Sequence, residues 1–147
     1  MRVLAVIPAR YASTRFPGKP LAALLGKPMI QHVVERVQRV RSISEVIVAT
    51  DDERIFAAVE SFGGNACLTN PDHPTGTDRI VEVIRSRPCD WVLNVQGDEP
   101  LIEPDTLENL IWQTLADGTC PMSTLVFRCH DPAVWQNPNV VQAVLNE

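Results

Sequence analysis

An α/β fold, a mostly parallel sheet with helices on both faces, is predicted by two observations. Apolar runs of strand length recur along the chain, at Val3–Ile7, Glu45–Thr50, Asp90–Gln96 and Met122–Arg128. Between them lie longer segments whose apolar residues follow helical spacing. Strands that alternate with helices predict parallel pairing through crossovers, right-handed by default. No linker, internal repeat or low-complexity stretch divides the 147 residues, so the chain reads as one domain, 1–147.

Val3–Ile7 is the first strand, expected to end at Pro8 because proline has no N–H for a central ladder. A loop follows with Arg10, Arg15 and Lys19, spaced by Ala9, Ala12, Ser13 and Gly18. Leu21–Leu25 is a short apolar run closed by Gly26. Lys27-Pro28 opens a helix, since proline is tolerated in a first turn. Ile30, Val33, Val34, Val37 and Val40 form its stripe, with Arg36 and Arg39 outside it. Glu45–Thr50 is the second strand. Asp51 and Asp52 follow as caps for a helix with Ile55, Val59 and Phe62 on one face, ended by Gly63-Gly64. Asn65–Leu68 predicts a short third strand. Thr69–Arg79 holds two prolines, Gly76 and several capping side chains, which mark a loop. A helix then starts at Thr77 or Asp78 and carries Ile80, Val81 and Ile84. Asp90–Gln96, the fourth strand, runs into Gly97-Asp98-Glu99-Pro100. Pro104 opens a helix with Leu107, Leu110, Ile111 and Leu115 on one face. Met122–Arg128 predicts a fifth strand, Ala133–Trp135 a short helical piece, and Val140–Leu145 an extended end.

Hydrophobic residues make up 45% of the chain, enough for a real core. A net charge of −5 argues against a general basic surface for nucleic acid, so the early cations form a local site. No apolar run reaches membrane-spanning length, and Val3–Ile7 is too short for the apolar region of a signal peptide. A cytoplasmic protein with no nucleic-acid or membrane partner is expected. Cys67, Cys89, Cys120 and Cys129 lack the close pairs of a zinc site, and Cys67 and Cys129 suit small buried thiols. His32, His73 and His130 lack ligand spacing. His32 reads as a helix-surface residue, His130 as a turn residue, and His73 lies in the Thr69–Arg79 loop. Trp91, Trp112 and Trp135 lie on strand and helix segments, where packing is expected.

Ligands of open α/β sheets lie beyond the carboxyl ends of the strands. Pro8–Lys19, Asp51 and Gly97–Pro100 occupy those ends and are expected to converge on one crevice. Three cations after the first strand suit a polyphosphate; a solvated basic loop is the alternative. Arg10 and Arg15 suit phosphate oxygens, because a guanidinium can bind two at once. Lys19 is a compact charge, suited to an oxygen where charge builds in a transition state. Pro20 follows Gly18-Lys19 where a P-loop would have Ser or Thr, so this is not a P-loop. Asp98, turned by Gly97, is either a cap or a ligand for Mg²⁺, which takes one or two carboxylates plus phosphates and water. Glu99 can assist it. Asp51 fits a helix cap better than a ligand.

Four stretches, PARYASTRFPGKPL, VATDDERI, DHPTGTDR and VLNVQGDEPLI, resemble in the same order motifs of the 3-deoxy-manno-octulosonate cytidylyltransferases, the bacterial CMP-Kdo synthetases. The resemblance runs to about Val126. Sialic acid cytidylyltransferases share the opening arginines and lysine but not the TGTDR and VQGDEP pair. The resemblance implies a Rossmann-like nucleotidyltransferase fold, here truncated. It implies Mg²⁺-dependent transfer of CMP from CTP to Kdo, giving CMP-Kdo and pyrophosphate for lipopolysaccharide biosynthesis. The family's catalytic lysine falls on Lys19, with Arg10 beside it. Pro8, Ala9, Arg10, Arg15, Lys19 and Thr75 are expected around the nucleotide, backbone groups near Ala9 and Thr75 serving the cytosine. Arg79 is the candidate for the Kdo carboxylate, with a surface helix cation as the alternative, and Gln96 for sugar hydroxyls. Asn70 stands where the family often has an arginine. Family members run further, which implies a second metal carboxylate, more sugar contacts and much of a homodimer interface beyond residue 147. Two other readings stand beside this one: a cytidylyltransferase for sialic acid or another 2-keto sugar acid, and a CTP-binding fragment without turnover.

Overall fold

A computed structural model describes residues 1–12 and 16–143. Arg15, expected on the phosphates, lies outside the described residues, as do Val144 and Leu145 of the expected extended end. β1 (Val3–Ala9) is followed by a 3-10 turn at Lys19–Leu21 and an antiparallel ribbon, β2 (Ala23–Leu24) and β3 (Lys27–Pro28). Then come α1 (Met29–Val37), β4 (Glu45–Thr50), α2 (Glu53–Ser61), β5 (Asn65–Leu68), α3 (Gly76–Arg85), β6 (Trp91–Asn94), α4 (Pro104–Asp117) and α5 (Pro132–Trp135).

β1, β4, β5 and β6 form one parallel sheet in the order β5-β4-β1-β6. Val3 to Ile7 are all buried, as a strand covered on both faces requires. Val3, Ala5, Ile7 and Ala9 face α1, α2 and α4 through Ile30, Val33, Val37, Ile55, Val59, Leu107 and Ile111. Leu4 and Val6 face the other way, onto Ile80 and Val83 of α3. Each fully buried Val, Leu or Ile contributes about 1.5–3 kcal/mol, so these two layers outweigh any single polar contact. The expected arrangement, a parallel sheet with helices on both faces, is the one observed.

β1 does not stop at Pro8. Its ladder to β4 continues through Pro8↔Ala49 and Ala9↔Thr50. Val6 accepts from the Val95 amide at 3.1 Å, so the even-numbered residues of β1 turn their polar groups toward β6. That ladder ends at Val6↔Asn94, and the proline nitrogen therefore faces a side with no strand left to pair.

The fifth strand expected at Met122–Arg128 does not form, and residues 140–143 carry no strand. A strand needs a partner for its amides and carbonyls. Pro121, Met122 and Ser123 border a groove against Trp91–Leu93 and Leu110–Leu115, yet make no ladder to β6. Met122 and Phe127 are consequently about four-fifths exposed, at 82% and 80%. Trp112 and Trp135, expected to pack, are also exposed.

Candidate functional site: a crevice at the carboxyl end of the sheet

Pro8 is where the site segments meet. Gly76, the first residue of α3, lies so close that a Cβ there would come within 3.3 Å of the Pro8 ring. A Cβ on Gly97 would stand 3.2 Å from the Pro8 carbonyl oxygen. Gly76 lets the start of α3 approach the Pro8 ring, and Gly97 lets its turn approach the Pro8 backbone. They bring Pro8–Ala9, Thr75–Gly76 and the Gly97–Asp98 turn to one place. Ala9 is buried, and Thr75 is exposed at the N-terminus of α3.

The loop after β1 is closed at its neck. Gly18 donates its amide to the Tyr11 carbonyl at 2.8 Å, and its φ of 70° is the left-handed conformation that favours glycine. The Tyr11 ring is covered by the Arg54 guanidinium, 3.3 Å from the centroid, and Arg54 is itself paired with Asp52 at 2.6 Å. Lys19 leaves this neck and reaches Asp98, Nζ to Oδ2 at 2.5 Å. The two groups are 79 residues apart in sequence. Arg10 is half-buried and donates to the His73 carbonyl at 3.1 Å. Gln96 is exposed and donates to Asn94 Oδ1 at 3.3 Å.

Three expectations are corrected. Arg79 is not a solvent-facing ligand for a sugar carboxylate: its exposure is 0%. Its Nη2 pairs with Asp51 at 2.9 Å, and its Nη1 donates to the Thr69 hydroxyl. Burial of a guanidinium requires such partners, and those partners leave it facing the sheet. Asp51, in turn, is not the helix cap. Asp52 caps α2, accepting from the Arg54 amide at 2.9 Å, and Asp51 is spent on Arg79. The Thr69 hydroxyl donates to the Thr50 carbonyl at 3.0 Å, so one buried cation ties α3 to the ends of β4 and β5. His32 departs from a plain surface role as well, because its Nε2 bonds the Leu24 carbonyl of the ribbon at 2.7 Å.

The cytidylyltransferase family profile matches residues 4–147. The chain belongs to the cytidylyltransferase family. It is 52% identical over 98% of its length to a 3-deoxy-manno-octulosonate cytidylyltransferase of Geobacter metallireducens, and 54% identical over the same share to one of Myxococcus xanthus. It spans about 57% and 58% of those relatives' lengths. A solved CMP:2-keto-3-deoxy-manno-octonic acid synthetase complexed with CTP shares 50% identity and superposes with a TM-score of 0.81, covering 82% of this chain and 50% of that one. A cytidylyltransferase from Leptospira borgpetersenii, 22% identical with a TM-score of 0.73 over 81% of this chain and 51% of its own, has the same fold.

In this cytidylyltransferase the loop expected over Thr69–Arg79 ends at Thr75, where α3 begins, and it is held by carboxylates of α3. Thr75 and Asp78 form a capping box: the Thr75 hydroxyl accepts from the Asp78 amide, and Asp78 accepts from the Thr75 amide at 3.2 Å. The Thr75 hydroxyl also donates to Asp78, and this bond holds the Asp78 carboxyl below its ordinary 3.8. Glu82 is lowered as well, first by the Asn70 amide and then by His73. Lowered carboxylate values stabilise the fold above their unfolded values, and that stability is lost as pH falls through the folded ones. The acid limb of thermal stability is therefore expected below about pH 4. Asp78→Asn should flatten part of that limb and leave the pH dependence near neutrality unchanged; an unchanged acid limb in a Tm-versus-pH series would remove Asp78 from this role.

Proposed function

We propose that this chain forms the nucleotide-binding part of an enzyme that transfers CMP from CTP to Kdo, giving CMP-Kdo and pyrophosphate, a cytoplasmic step toward lipopolysaccharide. The observation that carries the reading is the meeting of Lys19 and Asp98 beside Pro8, at the carboxyl end of the central strands. The Kdo relatives at above 50% identity support the choice of sugar acid. A homodimer is proposed for the longer form. The exposed apolar residues Met122, Val126 and Phe127 support further contact with protein surface.

Transfer at an α-phosphorus needs in-line positioning and charge stabilisation more than covalent help from the protein. Pro8–Ala9 and Thr75 line the place for cytosine. Arg10 presents its guanidinium toward the phosphates while its Nη2 is held by the His73 carbonyl. Lys19 supplies a donor to a non-bridging oxygen of the α-phosphate, where negative charge grows as the Kdo anomeric hydroxyl attacks. Gln96 is exposed and placed for sugar hydroxyls. The Kdo carboxylate is not met by Arg79, which is enclosed.

Asp98 fits Mg²⁺: it is a hard oxygen donor, its side chain is half-exposed at 51%, and Lys19 takes only its Oδ2. Bound there, Mg²⁺ would neutralise phosphate charge. Among the described residues no group of three or more His, Cys, Asp or Glu gathers as a metal site, so phosphate oxygens and water would complete the shell. The Lys19–Asp98 pair is exposed enough to contribute about 1 kcal/mol or less, so both partners can exchange each other for ligand at small cost.

The test is pyrophosphate release from CTP with Kdo, sialic acid and a further 2-keto acid offered separately. Kdo is expected to be preferred; preference for another acid would change the substrate, and CTP binding with no release for any acid would favour a binding fragment. The span of 57% of the relatives is the observation behind that second reading. Asp98→Asn should shift Mg²⁺ activation to higher concentration, because a neutral amide is a poorer ligand for a hard cation. An activation curve that overlays the parent's would make Asp98 only the counter-ion of Lys19.

A further inference from the structure

Arg10 has its direction set by a loop, and the loop is set by a side chain that nothing above places in the site. The Arg10 Nη2 donates to the main-chain carbonyl of His73. The ring of the same residue, through Nε2, meets the Glu82 carboxylate, and that same oxygen, Oε2, accepts from the Asn70 amide at 2.9 Å. Asn70 Oδ1 closes the turn by accepting from the Asp72 amide at 2.9 Å. Glu82 therefore holds both ends of the 70–73 turn from the second turn of α3, a helix anchored by buried Ile80 and Val83. A carbonyl can fix a guanidinium only if the carbonyl is itself fixed.

We propose that Glu82 is a positioning residue for Arg10, acting through the 70–73 turn, so that the guanidinium is preorganised for a nucleotide triphosphate. This rests on the CTP reading above. Preorganisation raises affinity by removing the ordering cost from the binding step. Among the described residues Arg10 Nε and Nη1 have no acceptor, and they are the donors that would turn toward phosphate.

The test is a double-mutant cycle on the chain, read by calorimetric titration of CTP and, separately, of inorganic tripolyphosphate. Glu82→Ala is expected to weaken both ligands about fivefold, the size of one lost ordering hydrogen bond. Glu82→Gln keeps an oxygen for the Asn70 amide and should stay within about twofold of the parent. In an Arg10→Ala background, Glu82→Ala should add nothing, because its effect passes through Arg10. A purely structural role would give the same loss in both backgrounds, and that result overturns the proposal. Side-chain nitrogen NMR of Arg10 without ligand is the second readout: an ordered Nε–H in the parent should become mobile in Glu82→Ala. If the parent binds no CTP, the CTP reading fails and the Arg10 signal alone decides the positioning role; an unchanged signal rejects it. If Glu82→Ala does not fold, His73→Phe keeps the carbonyl, loses the ring nitrogen and should show the same mobility of Arg10.

Discussion

Lys19→Ala, made in the longer enzyme proposed above, is expected to lower turnover of CTP and Kdo by about 10²–10³ while CTP affinity changes much less. Loss of one preorganised donor to developing charge has that size. Lys19 also faces Asp98 at 2.5 Å, so its removal leaves that carboxylate without its counter-ion. Mg²⁺ offered without nucleotide should therefore bind the variant more tightly than the parent, because no ammonium competes for Oδ2. Steady-state kinetics at saturating CTP and Kdo check the first effect, and metal titration checks the second. Equal turnover would end the catalytic assignment of Lys19. A drop in KM performance alone, with kcat unchanged, would make Lys19 a ground-state binder.

Asp51→Ala is expected to be the most destabilising single change at this end of the sheet. Arg79 would keep its buried place and lose its carboxylate, and breaking a buried pair on one side costs about 3–5 kcal/mol. Asp51 retains 17% exposure, so water can enter and about 3 kcal/mol is the value to expect. Whole domains have only about 5–15 kcal/mol, so this is a large share. The Arg79 Nε already has no acceptor among the described residues, which leaves little slack in the network. Replacing both partners together, Asp51→Leu with Arg79→Met, should cost much less, because no charge is stranded. Urea unfolding of the three proteins checks the order. Asp51→Ala within about 1 kcal/mol of the parent would show that Arg79 is hydrated in solution.

Much of the framework was legible in the residues themselves, because it depends on local rules. Val3–Ile7 and Val46–Ala49 are apolar at every position, as strands covered on both faces require. The stripe Ile30, Val33, Val34 and Val37 specifies which side of α1 is buried, and the observed burial follows it. Gly118, in the left-handed conformation, ends α4 after the Pro104 start that the residues predicted. Arg10, Lys19 and Asp98 were recognisable as site candidates because each follows a strand, and ligands of such sheets gather there.

Partner choice was not legible, because it depends on distances between segments far apart in the chain. Nothing local distinguishes Asp51 from Asp52 as a cap; only the position of Arg79, 28 residues on, assigns the first to an ion pair and leaves the second to α2. Arg79 reads as a surface cation or an anion ligand until the packing of α3 on β1 and β4 encloses it. Met122–Arg128 has the composition of a strand, yet strand formation is a pairwise property, and no neighbouring ladder receives it among the described residues. The residues determined most of the helices and strands of the sheet layers and where the reactive charges stand in the chain. The tertiary structure decided which charge faces which, because a buried ion or an unpaired strand is stable only when a distant segment supplies its partner.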